Sequence, residues 1–275
     1  MEVQIDFTKS AQENASDYFD RSKKARRKAA GAKIAIEELQ KSLGREVKAA
    51  GAVEKPRLKA LYRQEWYEKF NWFNASNGML AIGGSDAQQN ELINAKYFED
   101  SDLFFHADIY GGSLVVLKEG TKADKDVREE AAQFAACYSR AWSQGLSAID
   151  VYAMRREQVT KSKNKGALAT GAFLLKGERE WYKGMQLELA VFVTESEGSR
   201  SNDDSQRVDS YRKLNVVPVL TQRRLGIKQY VRVKIGNSKK SDAAKYIARA
   251  LGYGDIDYVM RHLPAGLFSA SMVKE

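Results

Sequence analysis

The sequence predicts an α+β protein: a mixed, mainly antiparallel sheet with packed helices, preceded by an N-terminal helical arm of coiled-coil type. Three observations carry this. Small and apolar residues recur at alternating spacings of four and three from Ala11 to Leu43, the signature of a heptad seam. Later segments alternate, or run apolar, over strand-sized stretches between turn residues. The strands and helices so placed follow one another without the regular βα repeat of a parallel sheet.

The arm, assigned to residues 1–65, opens at Ser10-Ala-Gln-Glu13, a capping box in which Ser10 and Glu13 satisfy each other's amides. The seam runs through Ala11, Ala15, Tyr18, Ser22, Ala25, Ala29, Ala32, Ile36, Leu39 and Leu43. Its alanine half lets a partner helix approach closely. Residues 49–52 break the pattern, and Pro56 suits the first turn of a shorter second helix. That helix covers only the Ile36 end of the seam, so the alanine half needs another partner, either a second copy of the chain or a surface of its own domain; self-association, a homodimer through the arm, is the expectation.

The core, assigned to residues 66–206, starts with the densest aromatic run in the chain: Trp66, Tyr67, Phe70, Trp72 and Phe73. Phe70 and Trp72 are expected in the core. Strands over 69–76 and 79–82 are joined at Asn77-Gly78, a tight-turn pair. Gly83-Gly84-Ser85-Asp86 leads into a helix over 87–98 capped by Asp86. Strands follow at 102–108 and 113–117, then a helix over 126–142. Further strands are expected at 147–159, 172–176 and 186–194, and the polar stretch 196–206 reads as a mobile link. The basic extension, residues 207–275, contributes strands at 216–220 and 230–235, a helix opened by Lys239-Lys240 and ended by Gly252, and a last helix capped by Asp255.

Charge separates these regions. Residues 1–65 hold 15 Lys/Arg against 10 Asp/Glu, residues 66–206 hold 16 against 21, and residues 207–275 hold 14 against 5. The whole carries +9. Basic flanks around an acidic middle favour a polyanionic partner, with nucleic acid foremost. One cysteine and two histidines exclude a disulfide framework and a structural zinc site, so no metal or cofactor is expected. No apolar run is long enough to span a membrane, and the first residues lack a secretory signal. A cytoplasmic location is the expectation.

Several motifs bear on chemistry. The glycine pair before Asp86 matches neither a Walker A nor a GxGxxG pattern, and the Asp86 carboxylate already occupies the helix cap, so a tight turn is the better reading. His106 and Asp108 share a strand face by period two and make half of a general-base arrangement, without an assigned nucleophile. An enzyme acting on RNA or an aminoacyl ester through His106, Asp108 and Asp86 is therefore one alternative; a purely coiled-coil protein scaffold is another. The cations form three groups: Arg26, Arg27 and Lys28 on the arm, Arg155, Arg156, Lys161 and Lys163 in a positive loop, and Lys239 with Lys240 at a helix start, where backbone donors also favour phosphate.

Read together, Trp66-Tyr-Glu-Lys-Phe-Asn-Trp-Phe73, Asn77-Gly78, Ile82-Gly-Gly-Ser-Asp-Ala-Gln-Gln-Asn-Glu91, Phe105-His-Ala-Asp-Ile109 and Thr170-Gly-Ala-Phe-Leu-Leu-Lys-Gly177 resemble the NFACT-R domain of the RqcH, NEMF and fibronectin-binding-like family. The resemblance covers about residues 66–194, and residues 5–15 resemble the family's coiled-coil entry. Ser85 stands where relatives often carry Arg, and Tyr110 where His is usual. The resemblance implies an RNA-binding module of ribosome-associated quality control, whose full-length relatives bind tRNA and the large ribosomal subunit and direct C-terminal tailing of stalled chains. The family's NFACT-N and helix-hairpin-helix segments find no room here, so the chain is expected to be either a stand-alone member or a piece of a longer protein. Its expected partners are tRNA or large-subunit rRNA and the ribosome, with the nine cations named above as contacts.

Overall fold

The computed structural model describes residues 65–160, 170–196 and 211–274, together with residues 6–8, 10–15, 18–20, 22–23, 26, 28–29 and 31. The chain divides into two compact units, Met1–Ala60 and Leu61–Glu275.

In the first unit every described residue from Ala11 to Gly31 is helical. The capping box forms as the sequence requires: Ser10 Oγ accepts the Glu13 amide at 3.2 Å, and Glu13 Oε2 accepts the Ser10 amide at 2.7 Å. The Ile36 end of the seam, the second helix after Pro56, Arg27 and the polar link from 197 lie outside the described residues.

The second unit begins with strands β1 (Asn71–Asn74) and β2 (Leu80–Gly83), helix α1 (Ala87–Lys96), and strands β3 (Leu103–Ala107) and β4 (Val115–Leu117). Helices α2 (Lys125–Cys137) and α3 (Arg140–Ser143) precede β5 (Ala148–Arg155), β6 (Val159–Thr160), β7 (Leu174–Leu175), β8 (Glu180–Gln186) and β9 (Glu188–Ser196). The chain then forms β10 (Tyr211–Pro218), α4 (Val219–Arg224), β11 (Gln229–Ser238), α5 (Lys240–Leu251), α6 (Ile256–His262) and β12 (Phe268–Lys274). One sheet has the order β1-β2-β4-β3-β5-β8, a second β10-β9-β11-β12, and β6-β7 form a small pair. Every pairing is antiparallel.

Local chemistry explains the joints. At the first hairpin the Gly78 amide donates to Ala75 O at 2.8 Å, the Ala75 amide donates to Met79 O at 2.8 Å, and Gly78 adopts φ +88°. The loop is thus Ser76-Asn77-Gly78, one residue longer than a two-residue turn, with glycine at the left-handed position. Asp86 caps α1 by accepting the Gln89 amide at 2.8 Å. The helix expected over 126–142 divides, because Ser139 turns its hydroxyl to Ala136 O at 2.8 Å and accepts the Ala141 amide at 3.2 Å, starting α3 afresh.

Helix α2 lies between the two large sheets and contacts strands of both. Val127, Ala131, Ala132, Phe134, Ala135, Ala136 and Cys137 are all buried, which requires apolar residues around most of the helix rather than along one stripe. Small alanines let both sheets come close. The opposite face of the six-stranded sheet packs Phe70, Trp72, Ile82, Phe104, Val116 and Met154 against Ile93 of α1.

Two polar side chains of α2 join these layers. The fully buried Glu130 accepts the Ser76 amide at 2.8 Å, the Ser76 hydroxyl at 2.6 Å and the Thr221 hydroxyl at 2.9 Å, and meets the Arg224 guanidinium at 3.2 Å. Gln133 accepts the Leu220 amide at 2.9 Å and donates to Gln186 O at 3.0 Å. A buried carboxylate is tolerable only when its oxygens are filled in this way. Glu130→Ala strands an amide and two hydroxyls and removes one of the three carboxylates around Arg224, and is expected to lower unfolding free energy by about 3–5 kcal/mol. Glu130→Gln, which keeps an acceptor, should lose less, as urea unfolding of the two variants will show.

Candidate nucleic-acid interface

Strands β3, β5 and β8 lie side by side, and their register sets His106 opposite Tyr152 and Tyr152 opposite Trp181. Three rings therefore cross one sheet face in a row. His106 and Tyr152 centroids are 5.7 Å apart, and Tyr152 and Trp181 meet edge to face at 5.4 Å. The Arg179 guanidinium lies 4.5 Å from the Tyr152 ring and 5.8 Å from Trp181, while Lys183 Nζ stands 4.1 Å over Trp181. Tyr152 is buried; Trp181 is 40% exposed.

A bulge shapes this edge. Between the pairs Ile149–Met185 and Val151–Tyr182, β8 carries an extra residue, and Gly184 takes φ +61°. Asp150 holds the bulge, accepting the Gly184 amide at 2.9 Å and Lys183 Nζ at 2.8 Å. These two hydrogen bonds hold the exposed Asp150 carboxyl below its usual range, the Lys183 bond first. Such bulges bend an edge strand and redirect its side chains.

At the other end of the row, His106 Nδ1 lies 3.3 Å from the Tyr152 hydroxyl. Gly112 closes over the ring: a Cβ there would stand 2.8 Å from His106 Cε1. Burial pushes the His106 pKa down, against backbone hydrogen bonding at Ala107 and Gly112 and the charge of Asp108, and the nearby Arg179 pushes the same way as burial. The ring is neutral near pH 7. Asp108 is exposed beyond the end of β3, and its amide donates to Asp150 O at 2.8 Å. Among the described residues no hydrogen bond or ion pair joins His106, Asp108 and Asp86; Asp86 is engaged as the α1 cap.

The glycine pair serves the protein's own packing. A Cβ on Gly84 would lie 2.1 Å from Asn90 Oδ1, and that oxygen accepts the Leu114 amide at 3.2 Å. The backbone approaches Asn90 there, as the tight-turn reading expects.

The cations expected to contact RNA differ in their freedom. Arg26, Lys28, Arg155 and Lys239 are exposed. Arg155 borders a surface groove of about 420 Å³ together with Arg128 and Arg179. Arg156 is occupied: Nη1 donates to Val159 O at 2.8 Å, Nε to Phe98 O at 3.2 Å, and the guanidinium lies 5.0 Å from the Phe98 ring. Lys240 Nζ donates to Leu263 O at 2.7 Å, and burial lowers its pKa. Arg27, Lys161 and Lys163 lie outside the described residues.

Comparison with known proteins gives the family. The family model described as the NFACT protein RNA binding domain matches residues 69–177. Residues 69–177 form an NFACT-R domain. The segment holds His106 and Tyr152; Arg179, Trp181 and Lys183 follow just after it. The archaeal Rqc2 homolog aRqcH of Methanocaldococcus jannaschii is 38% identical over 74% of this chain and 29% of its own length. The ribosome quality control complex subunit NEMF homolog of Drosophila melanogaster is 33% identical over 69% of this chain and 20% of its own. Human ribosome quality control complex subunit NEMF is 35% identical over 61% and 16% respectively. The chain thus spans less than a third of the length of these curated relatives.

The row of rings was absent from the sequence reading, although a signal exists: Arg179, Trp181 and Lys183 alternate at period two, placing a tryptophan between two cations on one strand face. Among the described residues no three His, Cys, Asp or Glu side chains converge to hold a metal ion, and no helix is long and apolar enough to cross a membrane.

The histidines of the NFACT-R domain and its C-terminal helix set a pH dependence. Burial lowers the folded pKa of His106 and of His262, whose ring stacks on Tyr258 at 4.1 Å. The unfolded chain therefore binds more protons below the ordinary value of 6.5, and stability is lost as pH falls through it. The urea midpoint should drop between about pH 7.5 and about pH 5.5, and His106→Gln should flatten part of that drop.

Proposed function

We propose that this chain is a non-catalytic, RNA-binding adaptor of ribosome quality control, acting in the cytoplasm at the large ribosomal subunit on tRNA or large-subunit rRNA. The observation that carries the reading is an NFACT protein RNA binding domain over residues 69–177, with the exposed Arg155 inside it and Arg179, Trp181 and Lys183 exposed just after it. The names of the matched relatives, all ribosome quality control proteins, support the cellular setting.

The working division is an arm (1–65), an NFACT-R core (66–206) and a basic extension (207–275). Arg26, Arg27, Lys28, Arg155, Lys161, Lys163 and Lys239 supply phosphate contacts. Arg156 and Lys240, the remaining two of the nine, contribute charge from positions already bonded to backbone carbonyls. The arm pairs two copies through its alanine seam. Against a hydrolytic alternative stand the separate structural engagements of Asp86 and His106.

Phosphate-driven binding releases counterions, so affinity for tRNA or large-subunit RNA must fall linearly in log–log form as salt rises. Arg155→Glu combined with Lys239→Glu should weaken binding and reduce that slope. Undetectable binding at low ionic strength, or binding indifferent to salt, overturns the reading. Light scattering at working concentration checks the arm: a dimer is expected, and a monomer removes the self-association.

A further inference from the structure

We propose that Trp181, backed by Tyr152 and flanked by Arg179 and Lys183, is a stacking platform for an unpaired base of single-stranded RNA. This rests on the RNA-binding reading and assigns it a specific surface and substrate form.

The geometry distinguishes Trp181 from the other tryptophans of the fold. Trp72 and Trp142 are buried in the two cores, and Trp66 is half-exposed but stacked at 4.7 Å and 11° on Tyr97. Trp181 meets its neighbour Tyr152 edge to face, at 65°, so its faces are not consumed by a parallel ring. What lies over it are two cations, the Arg179 guanidinium at 5.8 Å and, closer at 4.1 Å, Lys183 Nζ, which is exposed and tied to Asp150 by a surface ion pair. Exposed pairs of this kind are worth little. A base can displace the ammonium from the ring while Lys183 swings to the adjoining phosphate.

Edge protection is the competing explanation. A lysine and a bulge on a terminal strand discourage pairing with another sheet, and Lys183 with Gly184 fits that role. It leaves two features without purpose: a large ring exposed between the cations, and Arg179 lying over Tyr152 on the Trp181 side. Stacking on an aromatic with a neighbouring guanidinium is how single strands are held without sequence preference. A duplex buries its base faces and cannot use such a platform.

The charges near the ring set the orientation. Asp108 and Asp150 meet at one end of the β3–β5 pair, whereas Arg155 and Arg179 border the groove at its other end, which Leu103, Ala153 and Glu180 also line. The sugar-phosphate backbone should therefore run along the Arg179 side. Within that groove Arg128, Arg155 and Arg179 are balanced by Glu157, Glu178 and Glu180. Stacking, rather than net charge, is then the main contribution of the platform.

The test compares an oligouridine of about 12 nucleotides with an RNA hairpin stem of similar length, bound to the full chain at several salt concentrations. Trp181→Ala should weaken oligouridine binding about 5- to 100-fold, leave the stem unaffected and keep the salt slope, because no phosphate contact is removed. Trp181→Phe should restore most of the affinity, and unchanged thermal unfolding of both variants excludes loss of fold. If wild-type and Trp181→Ala bind oligouridine alike, or the variant loses both RNAs equally, the platform is overturned while the RNA-binding reading stands. If the wild-type chain binds neither RNA at low salt, the RNA-binding reading itself fails, and the platform with it.

Discussion

The Glu130 carboxylate is the interaction on which the second unit depends. It sits at zero exposure in a helix surrounded by two sheets, where an ionised group is costly unless every lone pair is used. Its four partners come from the first hairpin and from α4, elements separated by more than a hundred residues of chain. Gln133, one turn later, reaches α4 again and the end of β8. The central helix supplies apolar contact to both sheets through alanine and Phe134, and these two polar residues fix how the layers meet. Burial alone is indifferent to small slides; a carboxylate with four directional partners is not.

The same layering carries aromatic packing out to the edge of the six-stranded sheet. Helix α1 covers Ile82, Phe104 and Val116, but the face continues past it across β3, β5 and β8. There the rings of His106, Tyr152 and Trp181 follow from register, and the bulge at Gly184 turns Lys183 over the last of them. The candidate interface is thus the rim of a core face, where Tyr152 is buried and Trp181 is part exposed. Its aromatic character belongs to the packing, and its cations sit at the rim, where water is available.

This also explains the fate of the sequence motifs. Gly83-Gly84 is tight because Asn90 must come close, and Asp86 is spent on a helix cap. His106 and Asp108 share a periodicity, yet β3 ends at Ala107, so Asp108 leaves the face and His106 turns to Tyr152. Lys240 and Arg156 look like phosphate ligands in a charge pattern, but each reaches a backbone carbonyl of another segment.

Signals that act over a few residues were legible in the sequence: the Ser10–Glu13 capping box, the Asn77-Gly78 turn, the caps at Asp86 and Asp255, the Gly252 stop and the burial of Phe70 and Trp72. The order of linked motifs was likewise enough to point to the NFACT-R family. Strands β8 and β12 and helix α4 were not legible. The β8 residues are mostly exposed and lack an apolar alternation, so its conformation comes from hydrogen bonding to β5; α4 starts where Pro218 ends the β10 ladder. Which cations are free, and which rings align, depended on cross-strand register and on carbonyls distant in sequence. Local propensity and capping act within a turn of helix or a strand; Leu263 for Lys240, Phe98 for Arg156, Ser76 and Thr221 for Glu130 and Tyr152 for Trp181 lie tens of residues away, and only the tertiary structure could bring them together.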